Sequence, residues 1–259
     1  MRRYVEHVMG MPISLALRGE HEAGPAADDA WAQVMASLRD VDRVFSTYRL
    51  DSVISRVGRG ELALTECPPE VAEVLGLGEV ARSASDGAFD VRRGGVLDPS
   101  GVVKGWAVER ASRALRHLGD TDFCLSAGGD LVAHVADASR PPWQIGIEDP
   151  LDPTRVLAVV PLRDGAVATS GTAHRGAHVV DARTGEPATA LASVTVIAPS
   201  LTAADLDATS AFALGAEGPA WLRHRRGTVS MVVWPDGRID RIIGLAAREV
   251  AREVAPATG

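Results

Sequence analysis

The stretch LDPSGVVKGWAVERASRALRHLGDTDFCLSAGGDLVAHV, Leu97 to Val135, changes periodicity halfway along. In its first half Val103, Ala107, Ala111, Leu115 and Leu118 recur at helical spacing, between a start signal at Asp98-Pro99-Ser100-Gly101 and a stop at Gly119. In its second half Phe123 to Ser126 and Leu131 to Val135 read as strands around Ala127-Gly128-Gly129-Asp130, a tight turn whose residues suit positive φ. Before this junction the chain reads as one alternating strand, residues 3 to 18, followed by helices from Asp28 to Val44 and from Pro68 to Ala84. After it come strands at Trp143 to Ile147, Val156 to Leu162, Gly165 to Thr169, His178 to Asp181, Ser193 to Ala198, Val229 to Trp234 and Asp240 to Gly244. A late helix runs from about Thr202 to Leu214, with a further turn at Ala220 to Arg225. Helices grouped early and hairpin-connected strands later predict an α+β domain with largely antiparallel sheets, not a doubly wound nucleotide fold. One domain is expected over the whole chain, with residues from about 246 frayed.

Composition narrows the function. With 259 residues, 46% of them hydrophobic, the chain has ample material for a core. Lys+Arg 27 against Asp+Glu 34 gives a net charge of -7, the wrong sign for broad attraction to nucleic acid or an anionic membrane. Cys67 and Cys124 are too few and too far apart for a disulfide framework or a zinc site, so a metal would need oxygen ligands. No run of about 18 apolar residues is present, and MRRYVEHVMGMPISLAL reaches charge and polarity too soon for a signal peptide. A cytoplasmic protein without membrane insertion is expected.

Four clusters carry chemistry. Lys104 is the only lysine of the chain, and the helix entry places it in the first turn, where the macrodipole already presents positive charge. A cation there suits the helix poorly, unless an anion such as phosphate shares the same end with the free NH groups. The plainer alternative is a solvated lysine balanced by Asp98. In SLTAADLDATSAFALG, Asp205 and Thr209 are four apart and lie on one helix face, an oxygen pair suited to a hard cation such as Mg²⁺. The plainer reading of an aspartate in a first helical turn is compensation of the helix dipole. In ATSGTAHRGAHVVDARTG, small residues at Thr169-Ser170-Gly171 allow close approach of a ligand. His178 there is the best-placed group for proton transfer near neutral pH, with a structural histidine as the alternative. In FSTYRLDSVISR and GAFDV, Tyr48 could stack on a planar ring, whereas Phe45 and Phe89 suit core packing.

The ordered set MGMPISLAL, FSTYRLDSVISR, GAFDV, LDPSGVVKGWAVERA, LSAGGDL, ATSG, HVVDARTGEP, SVTVIAP and AADLDAT resembles the ApbE family of FAD:protein FMN transferases over nearly the whole chain. The resemblance implies an α+β fold of the T-fold type. It also implies an enzyme that splits FAD at its pyrophosphate and attaches FMN to a threonine or serine of an acceptor flavoprotein, releasing AMP. By motif, Met9, Tyr48, Ala88, Phe89, Asp90, Asp98, Lys104 and Val180 would line the FAD site. Gly101, through its carbonyl, with Asp205 and Thr209 would hold Mg²⁺, or Mn²⁺ in its place, and His178 would be the base. The chain departs from the family in three places: few residues separate Asp90 from Asp98, Ser126-Ala127 precedes Gly128-Gly129-Asp130, and the segment from Ser170 to His178 is short. An FAD pyrophosphatase and a non-catalytic FAD-binding protein are the competing expectations.

Overall fold

A computed structural model describes residues 1–173, 176 and 179–247. The chain opens with β1 (Arg2–Val8) and β2 (Met11–Gly19), followed by helices α1 (Pro25–Phe45), α2 (Val53–Gly58) and α3 (Pro69–Ala84). Two short strands, β3 (Arg92–Arg93) and β4 (Val96–Leu97), lead into α4 (Ser100–Arg116). Strands β5 (Thr121–Ala127), β6 (Asp130–His134), β7 (Trp143–Asp149), β8 (Asp152–Leu162), β9 (Asp164–Gly171), β10 (Val180–Asp181), β11 (Glu186–Pro187) and β12 (Ser193–Ala198) follow. Helices α5 (Leu201–Ala213) and α6 (Gly218–Leu222) precede β13 (Val229–Val233) and β14 (Ile239–Ile243).

The expected α+β class holds. Eight strands form one sheet in the order β1-β2-β5-β6-β9-β12-β13-β14, each pair antiparallel. On one face Ile13, Leu15, Leu17, Phe123, Leu125, Val194 and Val196 pack with the buried stripes of α1, α4 and α5. Each such side chain contributes about 1.5–3 kcal/mol on full burial. On the other face the β7–β8 hairpin brings Ile145, Ile147, Val160 and Leu162 against Leu131, Val167, Ile197, Val229 and Met231. Covering both faces explains why β12 is buried at every position, Ser193 and Thr195 included.

Three local readings change. The single strand expected over residues 3 to 18 is a hairpin, turning at Met9 (φ 54) and Gly10 (φ 71). Both angles are those of a two-residue type I′ turn, but methionine at its first position gives no turn signal. The segment FSTYRLDSVISR, for which no helix of its own is expected, carries α2, which Ser52 caps by accepting a hydrogen bond from the Ser55 amide at 3.1 Å. Helix α1 starts at Pro25, ahead of Asp28, with Gly24 as its N-cap. The remaining helices and most strands lie within a few residues of their expected bounds. Of the tail expected to fray, 248–259 lie outside the described residues.

The contact that positions the site is between α4 and α5. A Cβ on Gly105 would sit 2.7 Å from the Asp205 Cβ and 2.8 Å from the Leu201 carbonyl oxygen, so only glycine allows the two helices to come this close. Lys104 and Asp205 become neighbours as a direct result. Among the described residues no helix is long and apolar enough to cross a membrane.

Candidate functional site: a cavity floored by Lys104, Asp130, Asp205 and Thr209

A cavity of about 1190 Å³ opens where the first turn of α4, the middle of α5, the β5–β6 turn and the end of β9 meet. Its floor comes from chain segments far apart in sequence. The alternation of β6 puts Asp130 on the same side as Val132, facing the helices, and that of β9 does the same for Ser170 after Ala166 and Ala168. The turn into β6 is made by Gly128 (φ 58) and Gly129 (φ 99), a backbone path other residues adopt only with strain.

Lys104 Nζ lies 2.6 Å from Asp130 Oδ2 and 3.4 Å from Asp205 Oδ1. The ammonium is therefore held between two carboxylates, each almost sealed from solvent. The alternative of a solvated lysine balanced by Asp98 does not describe this site. Helix α4 begins at Ser100, so Lys104 opens its second turn, one step later than expected. Asp98 instead accepts a hydrogen bond from the Ser100 amide at 3.0 Å and faces Arg93 at 3.5 Å. Asp130 Oδ1 accepts from the Thr169 amide at 3.0 Å, which fixes the carboxylate to β9.

Asp205 and Thr209 share one face of α5, as their spacing predicts, and both line the cavity. Asp205 Oδ2 accepts from the Gly105 amide at 2.8 Å. Gly101 lines the same cavity, and its backbone carbonyl carries two lone pairs of which a helix bond uses at most one. Thr209 Oγ1 is 3.0 Å from Ser170 Oγ. Gly101 has no room for a side chain, because a Cβ would meet the Phe89 ring at 2.9 Å, and Thr209 Cγ2 would be 3.8 Å away. Burial raises the Asp205 carboxyl, Lys104 opposes the rise and Asp130 adds to it, leaving it at about 6 in the metal-free protein. Asp207 points elsewhere, accepting from Arg225 Nε at 2.9 Å, and burial raises it against the pull of that arginine.

The donor set is all oxygen: one carboxylate, one or two hydroxyls and a backbone carbonyl. It suits Mg²⁺, which takes few protein ligands and completes its shell with water or phosphate oxygens. Among the described residues no group of three or more His, Cys, Asp or Glu side chains is placed to hold a metal ion.

The wall is built from the other expected residues. Met9 reaches the cavity from the β1–β2 turn, and Phe89, Asp90, Asp98 and Val180 line its side. Phe89 is buried, with its amide donating to Ser85 Oγ at 3.0 Å, and Asp90 Oδ1 accepts from the Arg92 amide at 2.7 Å. Ala88 is fully buried and stands behind the wall; its carbonyl accepts from the Ala182 amide at 2.9 Å and ties β10 to this segment. Tyr48 stands at the rim with 96% of its surface exposed. His178, together with His174 and Arg175, lies outside the described residues. Asp130 is the site residue that its sequence context hid. Beside Gly-Gly it reads as a turn residue, and its partner Lys104 is adjacent only in space.

Comparison with known proteins matches this arrangement to one family. The protein named FAD:protein FMN transferase in Haemophilus influenzae is 27% identical over 248 residues, covering 71% of this chain and 72% of that protein. Proteins of the same name from Klebsiella pneumoniae and Treponema pallidum are 31% and 33% identical over 151 and 171 residues, covering 54% and 59% of this chain. The aligned part spans 43% and 47% of those two relatives, so the chain matches rather less than half of their length. Among solved structures, the ApbE protein of Thermotoga maritima superposes with a TM-score of 0.81 at 21% identity, covering 98% of this chain and 99% of that one. The apo form of the Pseudomonas stutzeri flavinyl transferase ApbE gives 0.78 at 24% identity, covering 98% and 97%. These two likenesses establish the fold. The sequence pattern of the ApbE family matches residues 9–98 and 92–233, across the strands, helices and turns that build the cavity, and the chain belongs to that family.

Proposed function

We propose that the protein is an FAD:protein FMN transferase that cleaves the FAD pyrophosphate, passes FMN to a threonine or serine hydroxyl of an acceptor flavoprotein and releases AMP. One observation supports this reading most: the lone lysine and the Asp205–Thr209 pair, about a hundred residues apart in the chain, meet side by side on the floor of one cavity. At about 1190 Å³ the cavity exceeds the roughly 300–1,000 Å³ of ordinary small-molecule pockets and has room for a dinucleotide. The relatives named FAD:protein FMN transferase point the same way.

Asp205, Thr209 and the Gly101 carbonyl would hold Mg²⁺, with Mn²⁺ as a substitute. When bound, such a cation supplies Lewis-acid polarisation of phosphoryl oxygens. Lys104 and the N-terminal amides of α4 orient the pyrophosphate, so charge growing on the departing AMP meets hydrogen-bond donors already in place. Met9, Phe89, Asp90, Asp98 and Val180 bound the flavin nucleotide, and Tyr48 offers a face for ring stacking at the mouth. The acceptor hydroxyl oxygen bonds to the FMN-side phosphorus, the bond from that phosphorus to the AMP oxygen breaks, and His178 takes the hydroxyl proton. Positioning and electrostatics do most of this work, as in other phosphoryl transfers.

The test is incubation of purified protein with FAD, Mg²⁺ and a threonine-containing peptide from an acceptor flavoprotein, followed by mass analysis of peptide and nucleotides. The expected result is a peptide heavier by FMN with one AMP per adduct. Free FMN beside an unmodified peptide would replace the transferase with a pyrophosphatase, and intact FAD bound without turnover would replace it with a binding protein.

A further inference from the structure

We infer that Asp130 is a positioning residue for the cation site: it anchors the Lys104 ammonium so that the Asp205 carboxylate stays available to a divalent cation. The inference deepens the transferase reading and rests on its assignment of Asp205 as a cation ligand.

Two nearly sealed carboxylates share one ammonium, and the division is unequal. Lys104 Nζ is closer to Asp130 Oδ2, at 2.6 Å, than to Asp205 Oδ1, at 3.4 Å. At 2.6 Å the Asp130 contact is at the distance of a charge-assisted ammonium–carboxylate pair. Its other oxygen is pinned by the Thr169 amide at 3.0 Å, and the residue sits at the start of β6 behind two glycines in left-handed conformations. Asp130 is thus built into the sheet and cannot follow the lysine.

Asp205 is held differently. Its Oδ2 is committed to the Gly105 amide, which leaves Oδ1 as the oxygen facing Lys104. A cation that takes Oδ1 must separate it from the ammonium. With Asp130 in place the lysine keeps a rigid counter-charge when this happens, and can lean toward a phosphate oxygen without leaving a buried charge uncompensated. Without Asp130 the ammonium loses its nearer counter-charge and is drawn toward Asp205, so lysine and metal compete for that carboxylate.

Mn²⁺ binding, followed by electron paramagnetic resonance on the full chain without turnover, tests this. Asp130→Asn, which keeps the size of the side chain, is expected to weaken Mn²⁺ binding by about tenfold or more, the usual scale for a residue that orients a metal ligand. Adding Lys104→Met removes the competitor, so the double variant Asp130→Asn/Lys104→Met is expected to recover most of that loss. A double variant as weak as Asp130→Asn alone would overturn the inference, because Asp130 would then act only through its own charge. Wild-type affinity in Asp130→Asn would overturn it as well. Lys104→Met by itself should bind Mn²⁺ at least as tightly as wild type, a result that stands even if Asp130→Asn does not fold; weaker binding refutes the competition. If wild type binds no Mn²⁺, with or without FAD, the metal assignment itself fails and the inference goes with it. Mn²⁺ binding that is normal in wild type and unchanged in Asp130→Asn refutes the inference alone.

Discussion

The floor and the rim of the cavity are built on opposite terms. On the floor, Lys104, Asp130, Asp205, Thr209 and Ser170 each meet a partner on a different element, and the carboxylates are almost wholly buried. At the rim, Tyr48 is 96% exposed and nearby Leu50 is 79% exposed, on the connection between α1 and α2. Charged groups removed from water need fixed partners, whereas an exposed aromatic needs only a surface to cover. The difference assigns tasks: the floor fixes where charge is stabilised, and the rim decides how well a flat substrate is held.

The sharpest break of this comparison is Asp205→Ala, for which FMN transfer at saturating Mg²⁺ should fall by about 10²–10³-fold, the scale of losing a main electrostatic contributor. A wild-type rate would show that the floor does not hold the cation. Gly105→Ala pushes a methyl group into Asp205 and the Leu201 carbonyl. It should cost about 1–3 kcal/mol in chemical denaturation and lower turnover as α5 shifts, while unchanged stability would mean that the α4–α5 contact is looser than it looks. Lys104→Arg keeps the charge but replaces a compact ammonium with a planar fork. Turnover should drop about tenfold, equivalent to about 1.4 kcal/mol in the barrier, and unchanged kinetics would argue against a tight ammonium site.

Acidity probes the same floor more gently. In the metal-free protein burial, opposed by Lys104, raises Asp205 to about 6, above its unfolded value. The folded chain therefore binds this proton more tightly than the unfolded chain. The associated stability is present at low pH and is lost as pH rises from the ordinary carboxylate range through about 6. A cation at Asp205 must displace that proton, so Mg²⁺ affinity measured by titration calorimetry should fall by about tenfold per pH unit below about 6 and level off above it. The smallest effect is expected at the rim: Tyr48→Ala should raise KM for FAD a few fold and leave stability within about 0.5 kcal/mol of wild type. A large loss of turnover with unchanged KM would move Tyr48 from the rim into the reacting centre.

Legibility in the sequence followed the range of the interactions. Helices α3, α4 and α5 were readable because their apolar stripes and stop signals lie within a few turns of chain. The pairing of Asp205 with Thr209 was readable for the same reason, four residues on one helix being a local relation. The β1–β2 turn was not, because Met9 takes a left-handed φ that neighbouring strands impose and its own chemistry does not request. The burial of β12 on both faces was hidden too, since only the β7–β8 hairpin packing behind the sheet makes its second face interior. Lys104 was singled out as an isolated cation, and the two carboxylates that hold it came from elsewhere in the chain.

By itself the sequence determined the class of the fold, its longer helices and most of its longer strands, and the residue types from which a pyrophosphate and cation site would be assembled, since spacing, caps and composition are properties of neighbours along the chain. Only the tertiary structure decided that Gly105 lets two helices touch, that Asp130 turns from a loop residue into the counter-ion of Lys104, and that Ala88 stands behind the wall it was expected to line. Those outcomes depend on which distant surfaces exclude water together, and burial of that kind has no address in a linear chain.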